Sequence, residues 1–195
     1  MSVLSRTGSV LRNTNETKVN AEVEIDGTGK AQIKTTIPFL DHLLVTMAAH
    51  SFVNIRVEAS GDLTHHVAED VAITLGEAMS KALGQRNGIM RFGWALVPMD
   101  DALALASIDL ARRPFSSINL KITGRSIEGL NSEDIVHFVS SFAISLTASL
   151  HLKVQYGEND HHNVEAAFKA LALSLRQACA VDPRRRGAPS SKGVV

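Results

Sequence analysis

Apolar and polar residues alternate from Val19 to Asp26, with Val19, Ala21, Val23 and Ile25 on one face and Asn20, Glu22, Glu24 and Asp26 on the other. A period of two predicts a half-buried strand. After Asp26-Gly27-Thr28-Gly29 the alternation resumes, Ala31, Ile33 and Thr35 against Gln32 and Lys34. Two such runs joined by turn residues predict a β-hairpin. From Phe39 to Ala49 the spacing Leu40, Leu43, Leu44, Met47 is helical. A strand over 53–59 follows, then a helix over 67–83 with Val71, Leu75, Ala78, Met79 and Ala82 on one face and Gly84 ending it.

The pattern then repeats: strands near 95–97, 102–110 and 117–123, a helix over 132–148, a strand over 150–156 and a helix over 164–180. Each half reads as β-β-β-helix-β-helix. The expected fold is α+β and internally duplicated, two similar β-sheet/two-helix halves packed through their helices, with residues 1–90 as the first half and 91–182 as the second. Residues 183–195 carry no apolar period and read as a loop or tail.

Composition narrows the function. The 195 residues include 20 Lys+Arg and 20 Asp+Glu, a formal charge of zero, and the nine Phe, Trp and Tyr form no stripe with basic residues. That disfavours nucleic acid as a partner. At 45% hydrophobic and 21% charged the chain can build a core. Its single cysteine, Cys179, excludes a disulfide framework and a cysteine-built zinc site. No apolar run reaches the ~18 residues of a membrane span. With no signal-peptide or transit pattern before the first strand, the expected compartment is the cytoplasm.

The unusual feature is where histidine falls. Four of the eight form two adjacent pairs, His65-His66 and His161-His162, at an offset of 96. Gly61-x-x-x-His65-His66-x-x-Glu69 matches Gly157-x-x-x-His161-His162-x-x-Glu165 at the glycine, both histidines and the glutamate. His42 precedes its pair by 23 residues and His137 precedes its own by 24, each before an apolar pair at the start of a helix. A lone histidine is ordinarily a packed or solvated residue, but two copies at matched offsets point to a metal site. On a helix the first histidine and the glutamate share a face, and the second histidine is turned by ~100°, so one helix start aims ligands in two directions. The six imidazoles and two carboxylates of His42, His65, His66, Glu69, His137, His161, His162 and Glu165 suit divalent Zn, Fe, Ni or Mn. His50 and His151 fall outside the repeat.

The ordered motifs resemble the imidazoleglycerol-phosphate dehydratase family over nearly the full length. They are Arg12-x-Thr14-x-Glu16-Thr17, Phe39-Leu40-Asp41-His42-Leu43-Leu44, His65-His66-Val67-Ala68-Glu69-Asp70, Gly88-Ile89-Met90-Arg91-Phe92-Gly93, Pro98-Met99-Asp100-Asp101-Ala102, Asn159-x-His161-His162-x-x-Glu165, Phe168-Lys169-Ala170 and Pro189-Ser190-Ser191-Lys192-Gly193. The resemblance implies a hydro-lyase of histidine biosynthesis that dehydrates imidazole glycerol phosphate to imidazole acetol phosphate. It also implies two Mn(II) ions per site, held by the eight residues above, and sites assembled between subunits of a 24-chain homo-oligomer. The substrate phosphate would be held by Arg91, Arg113, Lys169, Ser190 and Lys192 with His50, so that the tail contributes to the site. Glu16 is the candidate base or proton shuttle and Asp100 a further polar contact.

The chain departs from the family pattern at four points. The loop Gly61-Asp62-Leu63-Thr64 before the first histidine pair is about three residues short, Arg112 stands where the family has glycine, Pro38 replaces a glycine and Thr46 a glutamine. Two other readings use the same residues. A dinuclear metal-dependent phosphoester hydrolase would need the same kinds of ligand, with a bridging hydroxide as nucleophile. A non-catalytic assembly stapled by metal would explain interface histidines but not the phosphate-type motifs.

Overall fold

The computed structural model describes residues 5–193, so the first four residues of the first half and the last two of the tail lie outside the described residues. The first half runs β1 (Thr7–Asn13), β2 (Thr17–Glu24), β3 (Ala31–Lys34), α1 (Pro38–Ser51), β4 (Asn54–Gly61) and α2 (Thr64–Leu83). The second runs β5 (Phe92–Met99), β6 (Ala102–Asp109), β7 (Phe115–Asn119), a short ribbon β8 (Ser126–Ile127) and β9 (Leu130–Asn131), α3 (Ser132–Ser145), β10 (Ser149–Tyr156) and α4 (Asp160–Cys179). The sheets have the same layout, β1-β2-β4-β3 and β5-β6-β10-β7, each with one parallel pair at its edge.

The predicted hairpin is wrong. β2 and β3 do not pair with each other: β4 lies between them, antiparallel to β2 and parallel to β3. The turn residues instead wrap the side chain of Asn54, whose Oδ1 accepts from the backbone N–H groups of Thr28 and Lys30. β4 takes the central place because Ile55, Val57 and Ala59 continue the inward face begun by Val19, Ala21 and Val23. Helices α2 and α4 begin at 64 and 160, earlier than the apolar period suggests, because that period starts only where the core begins. Both histidine pairs therefore sit in a first helical turn. Asn159 caps α4, its side chain accepting from the backbone N–H groups of His161 and His162. Pro38 occupies the first turn of α1, where a missing N–H costs nothing.

The four helices lie between the two sheets and cross the boundary between halves, α1 against α4 and α2 against α3. Arg86 reinforces the second crossing. Its buried guanidinium donates to the carbonyls of Leu146 and Thr147 at the end of α3, and burial pushes its pKa down to about 10. Each outer strand meets the second helix of its own half through a glycine. A Cβ on Gly8 would lie 2.1 Å from the Ala78 carbonyl oxygen, and one on Gly93 would lie 1.9 Å from that of Ser174. Replacing Gly93 with alanine is expected to cost about 3 kcal/mol through overpacking. Urea denaturation would show this as a lower midpoint with an unchanged slope.

Candidate functional site

The crossed helix packing brings together histidines that are far apart in sequence. His42 on α1 meets His161 and Glu165 on α4, with both imidazole Nε2 atoms 3.3 Å from Glu165 Oε2. The three ligand atoms lie within 4.8 Å of one another. The counterpart joins His137 on α3 to His65 and Glu69 on α2. His137 Nε2 is 3.1 Å from Glu69 Oε1, and the two imidazole rings are 5.3 Å apart. Each triad thus takes its isolated histidine from one half and its His-x-x-x-Glu from the other. Two imidazole nitrogens and a carboxylate oxygen, with no thiolate, are a donor set that fits a borderline or hard divalent ion.

The second histidine of each pair points elsewhere. His66 Nδ1 lies 2.8 Å from Asp62 Oδ1 and 3.8 Å from Glu16 Oε2. His162 Nδ1 lies 2.5 Å from Asp101 Oδ1, with Asp100 3.5 Å from its Nε2. An ionised carboxylate only accepts, so each Nδ1 carries the donated proton. The hydrogen bonds to Asp62 and Asp101 raise the pKa of His66 and His162 respectively above the ordinary imidazole value. Asp101 in turn is held well below the carboxylate range by His162 and by the backbone N–H groups of Glu158 and Asn159.

Sequence reasoning missed the carboxylates that orient these imidazoles. The clearest is Asp134, buried on α3, which accepts from His65 Nδ1 at 2.6 Å. Its position three residues before His137, on the same helix face, was the available signal. At the matching place in α1 stands Phe39, whose ring lies 5.1 Å from that of His161. Glu16 sits in the β1–β2 turn. Buried Asp70 holds that turn, taking hydrogen bonds from Arg12 Nε and the Thr17 hydroxyl.

Arg91, Arg112, Arg113, Ser190, Ser191 and Lys192 line a cleft of about 460 Å³ between the β6–β7 connection and the tail. Arg91 grips Asp109 through Nε and Nη2, at 2.6 and 3.0 Å, and donates to the Pro189 carbonyl through Nη1. Two residues assigned to the phosphate lie outside the cleft. Lys169 Nζ is 2.9 Å from Glu165 Oε1, so within this chain it serves the first triad's carboxylate. Burial opposes ionisation of Glu165, but Lys169 and His42 keep its pKa below the ordinary value. His50 is exposed in the last turn of α1. His151, on β10, packs its ring 5.4 Å from that of Phe115, away from both triads.

The family model for imidazoleglycerol-phosphate dehydratase matches residues 35–175. The enzyme of that name from Dehalococcoides mccartyi is 44% identical over 191 residues, 97% of each chain, and that from Methanothermobacter thermautotrophicus is 46% identical, covering 93% of this chain and 94% of that one. Among solved structures, the dehydratase from Pyrococcus furiosus superposes with a TM-score of 0.82 at 38% identity, covering 95% of this chain and 100% of that one. The Staphylococcus aureus enzyme gives 0.83 at 28% identity, covering 90% and 99%. Fold and comparisons together define a hydro-lyase built as two α+β halves. The chain belongs to the imidazoleglycerol-phosphate dehydratase family, whose reaction is a step of histidine biosynthesis.

The raised imidazole values have a measurable consequence. In metal-free protein, His66 and His162 should titrate above the model value of about 6.5. The stabilisation from each ion pair is complete below the unfolded value and is lost as pH rises through the raised one. Imidazole resonances followed by NMR should show both elevated titrations, and D101N should lower that of His162 alone.

Proposed function

We propose that the chain removes water from imidazole glycerol phosphate to give imidazole acetol phosphate, at a site that holds two Mn²⁺ ions, within a cytoplasmic assembly of 24 copies. The pair of matched triads carries this reading. Chance places one histidine beside a glutamate, but a second triad built from equivalent positions with the halves exchanged has the character of a ligand set. In this reading His42, His161 and Glu165 hold one ion, and His65, His137 and Glu69 the other. His66 and His162 turn away from both triads, which suits ligands offered to sites shared with neighbouring copies. When bound, such an ion supplies Lewis acidity toward the substrate imidazole and fixes its orientation.

The remaining work falls to the chain's own groups. The departing hydrogen sits on a carbon with no carbonyl to acidify it, so a positioned base is needed. Glu16 is suited to it, being exposed beside His66 on a turn anchored by Asp70. Asp100, beside His162, is a further polar contact. Arg91, Arg113, Ser190 and Lys192 would bind the phosphate in their cleft, and Lys169 and His50 would reach it across a boundary between copies. Self-association is supported by the outward face of β5, where Phe92, Trp94 and Leu96 are exposed, together with Phe115 on β7. No helix among the described residues is long and apolar enough to cross a membrane, and Cys179 is buried as a free thiol.

Two comparisons test this. H137N should lower the metal content measured by elemental analysis and abolish dehydration, because an amide is a poorer ligand than an imidazole. H151N should keep both ions; a metal-depleted H151N beside a metal-replete H137N would overturn the assignment. K192M should keep its metal but raise KM by roughly tenfold to a hundredfold, the worth of one charge-assisted contact of about 1.5–3 kcal/mol. Wild-type kinetics in that variant would remove Lys192 from the site.

A further inference from the structure

Arg112 lies in the connection between β6 and β7 with φ at +54°, a left-handed conformation that is easy for glycine and unfavourable for a residue with a side chain. A bulky side chain held at such a position directs attention to what that side chain does. Its Nη2 donates to the Gly84 carbonyl at 2.6 Å, and the residue lines the cleft beside Arg91, Arg113, Ser190, Ser191 and Lys192.

The cations of this cleft are not equivalent. Arg91 is paired in bidentate fashion with Asp109, and Arg113 Nη2 lies 3.6 Å from the same carboxylate. One negative charge is shared by two arginines. Arg112 has no carboxylate partner among the described residues, and its one hydrogen bond there goes to a neutral carbonyl. It therefore brings to the cleft a positive charge that no carboxylate pairs with among the described residues, steadied at one nitrogen and with further donors on the same fork.

We infer that Arg112 is an additional phosphate-binding residue, which gives the cleft a cation beyond those its motifs supply. The inference rests on the proposed phosphate site and extends it to a ligand class, the phosphate monoester dianion, that gains from an uncompensated guanidinium. It adds to the affinity of whatever phosphate the cleft takes and does not depend on the chemistry at the other end of the substrate.

The test is titration calorimetry of inorganic phosphate into the purified full-length protein, comparing wild type with R112G, R112Q and K192M, alongside thermal melting. R112G relieves the backbone, and R112Q removes the charge while keeping an N–H donor for the Gly84 carbonyl. Both should bind phosphate about tenfold more weakly than wild type, with R112G melting no lower. Wild-type affinity in both, beside a weakened K192M, would overturn the role of Arg112 and leave the cleft standing. Wild-type affinity in R112Q alone would show that a neutral donor suffices and would overturn the charge argument. Wild-type affinity in all three variants would remove the cleft itself as a phosphate site, and the inference with it.

Discussion

The packing of helices across the two halves is the contact on which the rest depends. α1 lies against α4 and α2 against α3, and each contact carries an isolated histidine on one helix and a His-x-x-x-Glu on the other. Were α1 to pack on α2 and α3 on α4, the same eight residues would be present and neither triad would form. The apolar stripes that build the core are thus also the device that aligns the polar groups. The demand for tight helix contact fixes the geometry to within the tolerance of close-packed side chains.

The two triads share residue types but not support. Asp134 fixes the tautomer of His65 by a short hydrogen bond, whereas Phe39, at the equivalent place, positions His161 by ring packing. Lys169 compensates the buried charge of Glu165, and the position 96 residues earlier is Ile73, which offers Glu69 no such partner. Replacing Glu165 would strand a nearby ammonium as well as two imidazoles, so the same change is felt more widely in the second half than in the first.

Much of this was legible in the sequence. The period of two and the period of 3.6 located most of the elements, and the matched offsets singled out eight residues, six of which the fold assembles into triads. What the sequence could not show follows from its being one-dimensional. The Asp26–Gly29 turn reads as a hairpin because local signals cannot reveal that Asn54, beyond β3 and α1 in the chain, fills it. The apolar period begins after the true helix starts because the first turns of α2 and α4 carry histidines and other polar residues and not core. The division of each pair, with His65 and His161 turned to the triads and His66 and His162 turned away from them, was visible as a helical angle. The partners at the end of each direction, Asp134, Asp62 and Asp101, came only with the fold.

The exchange of triad residues between halves bears on how such a chain could have arisen. A half-length polypeptide with one isolated histidine and one His-His-x-x-Glu segment holds every residue type of a triad yet completes none of its own. It could do so only against a second copy, across a two-fold contact with the form of the present α1–α4 and α2–α3 packing. Joining two such copies end to end converts a dilution-sensitive encounter into a tethered one, with an effective concentration on the order of millimolar for a short linker. Once tethered, the copies are released from identity. Asp134 and Phe39, or Lys169 and Ile73, can then diverge, because a change in one half is no longer imposed on the other.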